Sequence, residues 1–201
     1  MKVLLIRHAR TTSNAKSRYM GHIDEELPVE VGPQLDRIAT RLADESIQAI
    51  YASPMRRARQ TACPASETFR LPIVTMDAFN EMRMGPWEGL TASEIEAQYP
   101  NEWSIWRQTP DKLVMAGREP LQDAQARAVD GIRRVAAEGF DVVAIFTHDV
   151  IVRLVLAFAL GCGPELYRRI PSTNCSISSI RYSDSGLPSV ELMNETHFLV
   201  D

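Results

Sequence analysis

Residues 142–160 read VVAIFTHDVIVRLVLAFAL, and this run decides the fold class. Its first part, Val142–Phe146, is continuously apolar, as expected of a strand covered on both faces. Val150–Leu160 follows, nearly all apolar and broken only by Arg153. That segment is too short to span a membrane and suits a buried helix. The polar Thr147-His148-Asp149 lies between the two. A strand that runs into a helix through a short polar turn is the building unit of a parallel α/β sheet.

The pattern repeats outward along the chain. Lys2–Ile6, Ile47–Ala52 and Leu71–Thr75 read as further strands, and two more lie near Cys175–Tyr182 and Val190–Thr196. Gly32–Asp44 reads as a helix with Leu35, Ile38 and Leu42 on one face. Pro54 opens a helix that Met55–Phe69 continues. Thr91–Tyr99 carries Thr91 as N-cap with Glu94 three residues on. Leu121–Glu138 turns Leu121, Ala128, Ile132 and Val135 inward and stops at Gly139. Strands alternating with helices predict an α/β three-layer sandwich, with a mostly parallel central sheet and helices on both faces. No repeat or linker divides residues 1–201, so a single domain is expected. Pro100–Pro120 is the least regular stretch and reads as an active-site flap or a surface connection.

The bulk numbers exclude several classes. With 201 residues, 45% of them apolar and 24% charged, the chain can bury a substantial core. A net charge of -4 and scattered arginines leave no nucleic-acid footprint, so any anion must bind in a local pocket against the overall charge. Cys63, Cys162 and Cys175 are odd in number and lack CxxC spacing, which argues against a disulfide framework and a zinc site; they read as buried small hydrophobes. The four histidines show no HxxxH spacing, so no metal is expected. The opening MKVLLIRHAR ends its apolar run at Arg7, too early for a signal peptide. A cytoplasmic protein with no membrane association is expected.

In an open α/β sheet, ligands gather beyond the carboxyl ends of the strands. Arg7-His8 and Thr147-His148 follow two predicted strands, and Ser53-Pro54, with Arg56 and Arg57 behind, follows a third. Arginine supplies a planar fork of donors that fits phosphate oxygens. A neutral imidazole is a competent nucleophile, a second, protonated histidine can stabilise the transferring phosphoryl group, and a carboxylic acid can protonate the leaving oxygen.

The order of these residues resembles the histidine phosphatase (phosphoglycerate mutase-like) family. Arg7-His8-Ala9-Arg10-Thr11-Thr12-Ser13-Asn14 is similar to its R-H-G-x-T-x-x-N signature. Gly21, Asp24, Leu27 and Gly32, then Ser53 to Ala62, then Asn80-Glu81 with Gly85 and Trp87-Glu88-Gly89, and finally Thr147-His148 match later segments in order. The resemblance implies His8 as the phosphorylated residue and Glu81 as proton donor and acceptor. It implies Arg7, Arg57 and His148 as the phosphate pocket, with Asn14 nearby, and no metal or organic cofactor. The departures carry expectations of their own. Ala9 replaces Gly and needs an ordinary backbone angle there; Arg10 stands for the usual Glu or Gln. Asp149 replaces Gly and is expected to raise the pKa of His148 or to repel phosphate. Met20 stands where polar residues are common. Arg118 either reaches a substrate anion or points to water.

Blander readings remain for other residues. Arg56 and Arg59 read as solvated, Glu88 as a bonding partner of loop amides near Trp87, and Asn14 equally as a ligand contact or a local turn. His22 and His197 have no evident partners and read as structural, while Trp103 and Trp106 read as packing against the domain. The favoured function is a phosphomonoester hydrolase acting on a small phosphorylated metabolite through a phosphohistidine. A phosphoglycerate mutase-type phosphotransferase is the runner-up, disfavoured by the short interval from Glu81 to His148. A non-catalytic phospho-ligand binder is the third reading, suggested by Ala9 and Asp149. The substrate is not legible, and a homodimer is left open.

Overall fold

The computed structural model describes residues 1–183, 186 and 188–199. β1 (Lys2–Arg7) lies inside a six-stranded sheet, parallel to β4 (Val142–Thr147). β2 (Ala49–Ala52) and β3 (Ile73–Thr75) continue the parallel array beyond β4. β5 (Ile177–Arg181) and β6 (Ser189–Glu195) add an antiparallel edge beside β1, giving the order β3-β2-β4-β1-β5-β6. Successive strand side chains point to opposite faces, and this sorts the core in two. Val3, Leu5, Tyr51, Val143 and Ile145 face one side; Leu4, Ile6, Ile50, Ala144 and Phe146 face the other. The first side is covered by α6 (Leu121–Ala136) and α7 (Asp149–Ala159), the second by α2 (Gly32–Leu42) and α3 (Arg56–Phe69). The predicted three-layer α/β sandwich is therefore the observed one. Among the described residues no helix is long and apolar enough to cross a membrane.

Local signals act as expected where they are strong. α4 (Ala92–Gln98) begins with a capping box: Thr91 Oγ1 accepts from Glu94 N at 3.3 Å and the Glu94 carboxylate accepts from Thr91 N at 2.8 Å. Gly139, at φ +84°, takes the left-handed angle that ends the segment after α6.

The structure corrects three readings. Pro100–Pro120 is largely ordered into α5 (Pro100–Gln108) and a 3₁₀ turn at Pro110–Lys112. Pro100 occupies the first turn, where its missing N–H costs nothing, so a new helix starts directly after α4. Pro54 precedes α3 rather than opening it, because Met55 is still extended. A single helical turn, α1 (Thr12–Ala15), was not predicted; it is too short to show apolar periodicity and is held by a capping box between Thr11 and Asn14.

Gly131 on α6 gives a test of the packing. A Cβ there would lie 2.6 Å from Ala78 Cβ and 3.0 Å from Phe79 Cε1. Gly→Ala within a helix ordinarily gains roughly 0.5–1 kcal/mol, whereas overpacking costs about 1–3 kcal/mol. Gly131→Ala is expected to lower the urea midpoint and Tm; a more stable variant would show that the turn at Asp77–Phe79 yields freely.

Candidate active site

The parallel strands end together, and the candidate site residues gather at their carboxyl ends. Arg7 closes β1 opposite Thr147, the last residue of β4, and His8 N donates to Thr147 O at 2.9 Å. His148 is the N-cap of α7. Arg57 enters from the first turn of α3 and Glu81 from the irregular segment after the Asp77–Phe79 turn. His8, Arg57, Glu81 and His148 are buried and Arg7 is half-buried; all but His148 line one cavity of about 320 Å³. Asn14, Tyr19, Met20, Trp106, Tyr167 and Arg168 complete much of its wall.

His8 keeps one ring nitrogen free of a proton. Its Nδ1 lies 2.7 Å from Ala9 O, and because a carbonyl only accepts, Nδ1 carries the proton and Nε2 the lone pair. Burial, then the Arg57 and Arg7 charges, hold its pKa well below the usual imidazole range. The ring stands 5.1 Å from that of His148, centroid to centroid, at an interplanar angle of 62°. Ala9 has no positive φ, so its side chain is accommodated without backbone strain, and its N–H donates to Thr61 Oγ1 at 3.0 Å.

The cationic groups keep donors in reserve. Arg57 donates from Nη1 to Ile23 O at 2.7 Å and from Nη2 to Gly21 O at 3.0 Å, while its Nε has no intramolecular partner. Arg7 donates to Ser172 O and to Asp149 Oδ1, the latter at 2.9 Å, and its Nε is also unpartnered. Both ring nitrogens of His148 are buried without a partner. Buried polar groups ordinarily find partners, so their concentration beside His8 marks a place where an anion's oxygens fit.

Glu81 differs from an ordinary carboxylate. Burial, then the charge of Asp149, raises its pKa to about 7. Oε1 accepts from Met82 N at 3.0 Å, and Oε2 lies 3.4 Å from Val150 N at the start of α7. A carboxyl poised near neutrality can both give and take a proton.

All six residues named from the sequence meet around this pocket, although their surroundings bring corrections. Asn14 is both a turn residue and a lining residue: Oδ1 accepts from Thr11 N at 3.2 Å and from Asn174 Nδ2 at 3.3 Å. Asp149 does not raise the pKa of His148; burial and the Arg57, His8 and Arg7 charges push it well down. Its carboxylate instead binds Arg7 and Arg153, the latter at 3.0 Å. Arg118 neither points to water nor enters the cavity; it is buried with its guanidinium 4.4 Å from the Trp106 ring centroid. Trp103 and Trp106 are packed, as expected, yet Trp106 also walls the pocket. Met20 lines it too. Cys175 is buried, but Cys63 is exposed. Asn174 was missed: its Nδ2 donates to His8 O at 3.0 Å. Such contacts to main-chain atoms leave no spacing signature. Among the described residues no group of three or more His, Cys, Asp or Glu side chains is placed to hold a metal ion.

The profile of the histidine phosphatase superfamily (branch 1) matches residues 3–196, and the chain belongs to that superfamily. Phosphoserine phosphatase 1 of Hydrogenobacter thermophilus is 27% identical over 185 residues, covering 92% of this chain and 88% of that protein. The "Probable phosphoglycerate mutase GpmB" of Yersinia enterocolitica is 27% identical over 190 residues, covering 92% and 86%. Several other relatives are longer, and this chain spans only 37% to 55% of them. Among solved structures, Bacillus stearothermophilus YhfR superposes with a TM-score of 0.91 at 25% identity, over 99% of each chain.

Arg57 can be tested by binding alone. A charge-assisted hydrogen bond contributes about 1.5–3 kcal/mol, so Arg57→Ala should weaken the affinity for inorganic phosphate at least roughly tenfold by calorimetry. Arg56 and Arg59 are exposed, and Arg56→Ala and Arg59→Ala should bind almost as the parent does. Equal losses in all three would place the inward cation elsewhere.

Proposed function

We propose that the protein hydrolyses small phosphomonoesters by passing the phosphoryl group through His8 to water. The observation that carries this reading is the unprotonated His8 Nε2 in one buried pocket with the raised carboxyl of Glu81. Arg7, Arg57 and His148 hold the phosphoryl oxygens, with Asn14 at the side. The His8 Nε2 lone pair forms a bond to phosphorus as the bond from phosphorus to the ester oxygen breaks, and the Glu81 proton passes to that oxygen. The alcohol leaves. The Glu81 carboxylate then takes a proton from water, whose oxygen bonds to phosphorus as the N–P bond breaks. Phosphate departs, and both residues return to their starting states.

His148 is held neutral by its surroundings; a phosphate dianion opposes that push, and an imidazole N–H donor is available in either protonation state. The phosphatase and the mutase are each 27% identical to this chain, and the further similarity to 2-carboxy-D-arabinitol-1-phosphatase of Triticum aestivum supports hydrolysis. The pocket mouth favours hydrolysis. Ser17 and Arg168 there are exposed, which gives water a route to the phosphohistidine. The unpaired cysteines suit a reducing compartment such as the cytoplasm.

His8→Ala should abolish phosphate release with little change in Tm, since its side chain contributes chemistry rather than core packing. Rapid alkaline quench of the parent with 4-nitrophenyl phosphate should show steady release and little phosphohistidine. A long-lived phosphoenzyme discharged only by a second alcohol would favour the mutase, and neither labelling nor release across a broad ester panel would favour a binder.

The pH dependence follows from Glu81. Its raised pKa keeps the carboxyl protonated below about 7 and ionised above it. For an alkyl phosphate, whose leaving oxygen needs the proton, kcat/KM should fall about tenfold per pH unit above that value. An activated aryl phosphate should lack this limb, and Glu81→Gln should remove it for the alkyl ester. His8, being lowered, should add no further limb at neutral pH. An alkyl profile flat to pH 9 would remove Glu81 as the acid.

A further inference from the structure

Glu81 sits in a segment with no regular hydrogen-bond ladder, between 3₁₀ turns at Asp77–Phe79 and Gly85–Trp87. Something outside the segment must fix its main chain if its carboxyl is to meet a leaving oxygen reproducibly. Two side chains converge on the Glu81 carbonyl. His22 Nε2 lies 2.7 Å from that oxygen, and since the carbonyl accepts, Nε2 carries the proton. Arg127 on α6 donates from Nη2 at 3.2 Å. Arg127 is itself oriented by Glu119, whose carboxylate accepts from Nε at 2.7 Å, and by Ala78 O at 2.9 Å.

His22 is held at both ends. Its main-chain N–H donates to Glu88 Oε1 at 3.0 Å, and the same oxygen accepts from Met84 N at 3.0 Å. On either side of it, the Gly21 and Ile23 carbonyls accept from Arg57. Gly21 is required for this approach: its φ is +47°, and a Cβ there would collide with the Glu88 carboxylate. The loop 21–23 thus touches the phosphate-side guanidinium through its main chain and the acid's main chain through one imidazole.

We propose that His22 is a positioning residue for the proton donor, anchoring the Glu81 carbonyl together with Arg127 and so setting the reach of the Glu81 carboxyl relative to the phosphate held by Arg57. His22 touches neither substrate nor the reacting atoms, and it needs no change of protonation, because neutral imidazole and imidazolium both donate from Nε2. The inference rests on the hydrolase reading above, in which Glu81 protonates the leaving alcohol. A misplaced acid harms only substrates that need it. A loss of general folding or of phosphate binding harms all of them.

The test uses the full chain with two substrates, an alkyl phosphate and 4-nitrophenyl phosphate, and the variants His22→Ala, His22→Gln and Glu81→Gln. Small misplacements of a reacting group cost on the order of 10- to 100-fold. His22→Ala should lower kcat for the alkyl ester by that factor while leaving the aryl ester within about threefold of the parent. His22→Gln, whose amide can donate to the same carbonyl, should restore most of the loss. In the Glu81→Gln background, His22→Ala should cost little more, since coupled residues are not additive. Equal losses on both esters, full additivity with Glu81→Gln, or no loss at all would overturn the proposal while leaving the hydrolase reading intact. Should His22→Ala fail to fold, His22→Gln compared with His22→Leu gives the same ratio. If the parent releases phosphate from neither ester, the proposal falls together with the hydrolase reading.

Discussion

Removal of water from His8, His148 and Glu81 is the constraint on which the chemistry depends. Burial penalises whichever form of a group is charged, so the same environment acts in opposite senses on a base and an acid. It drives both imidazoles down and the carboxyl up. The two guanidinium groups reinforce the effect on the imidazoles and oppose it on Glu81, where the Asp149 carboxylate works in the other direction. The pocket therefore holds an unprotonated His8 beside a Glu81 carboxyl that keeps much of its proton near neutral pH, the order that the proposed phosphoryl transfer to nitrogen requires. Groups whose environments push their pKa values apart are the mark of an acid–base assignment.

That dry environment is built from both layers. On one side of the sheet an aromatic series runs from Tyr19 through Trp87 and Trp103 to Trp106 and Tyr167, with ring centroids 5.0 to 6.4 Å apart. Arg118 lies over the Trp106 ring and also donates to Leu113 O at 3.3 Å, so it ties the 110–118 segment to the wall. Burial holds its pKa down near 10, still far above neutrality, so the cation persists within the aromatic cluster. Tyr19, Trp106 and Tyr167 present this wall to the cavity. The segment that looked least regular in the sequence thus contributes through a helix that brings the Trp106 indole to the pocket wall.

The fold was legible because β1, β2 and β4 are covered on both faces and α2, α3 and α6 on one, which makes their apolar patterns strong. The boundaries moved by only a residue or two at most ends. The site residues were legible because each follows a strand end or belongs to a matching segment. The supports were not. His22, Arg127, Asn174 and Thr61 act on main-chain atoms, and a carbonyl or amide has no sequence letter that could pair with theirs. Arg118 was misread for a related reason: a cation stacked on buried indoles looks, in sequence, like any loop arginine. Glu88 was readable because a Gly-rich turn beside Trp87 needs an acceptor, and its carboxylate does accept from the His22 and Met84 amides.

Asp149 shows how a carboxylate can sit in a phosphate pocket without defeating it. Alone, it would repel the substrate. Here its Oδ1 lies 2.9 Å from Arg7 Nη1 and 3.0 Å from Arg153 Nε, both partly shielded from solvent, so two cations share one anion. Arg153 is further fixed by donating to Ile170 O at 2.8 Å. The pair of ion contacts orients Arg7 with its Nε unpartnered beside His8 rather than directing the whole guanidinium toward the carboxylate. The remaining negative field falls on Glu81, where it favours the protonated carboxyl. A glycine at this position would leave Arg7 and Arg153 without that shared partner and Glu81 with a stronger tendency to ionise. The departure from the family's pattern thus acts on the acid rather than on the second histidine, because His148 is governed by burial and by the arginines while Glu81 is the group whose charged form Asp149 directly opposes.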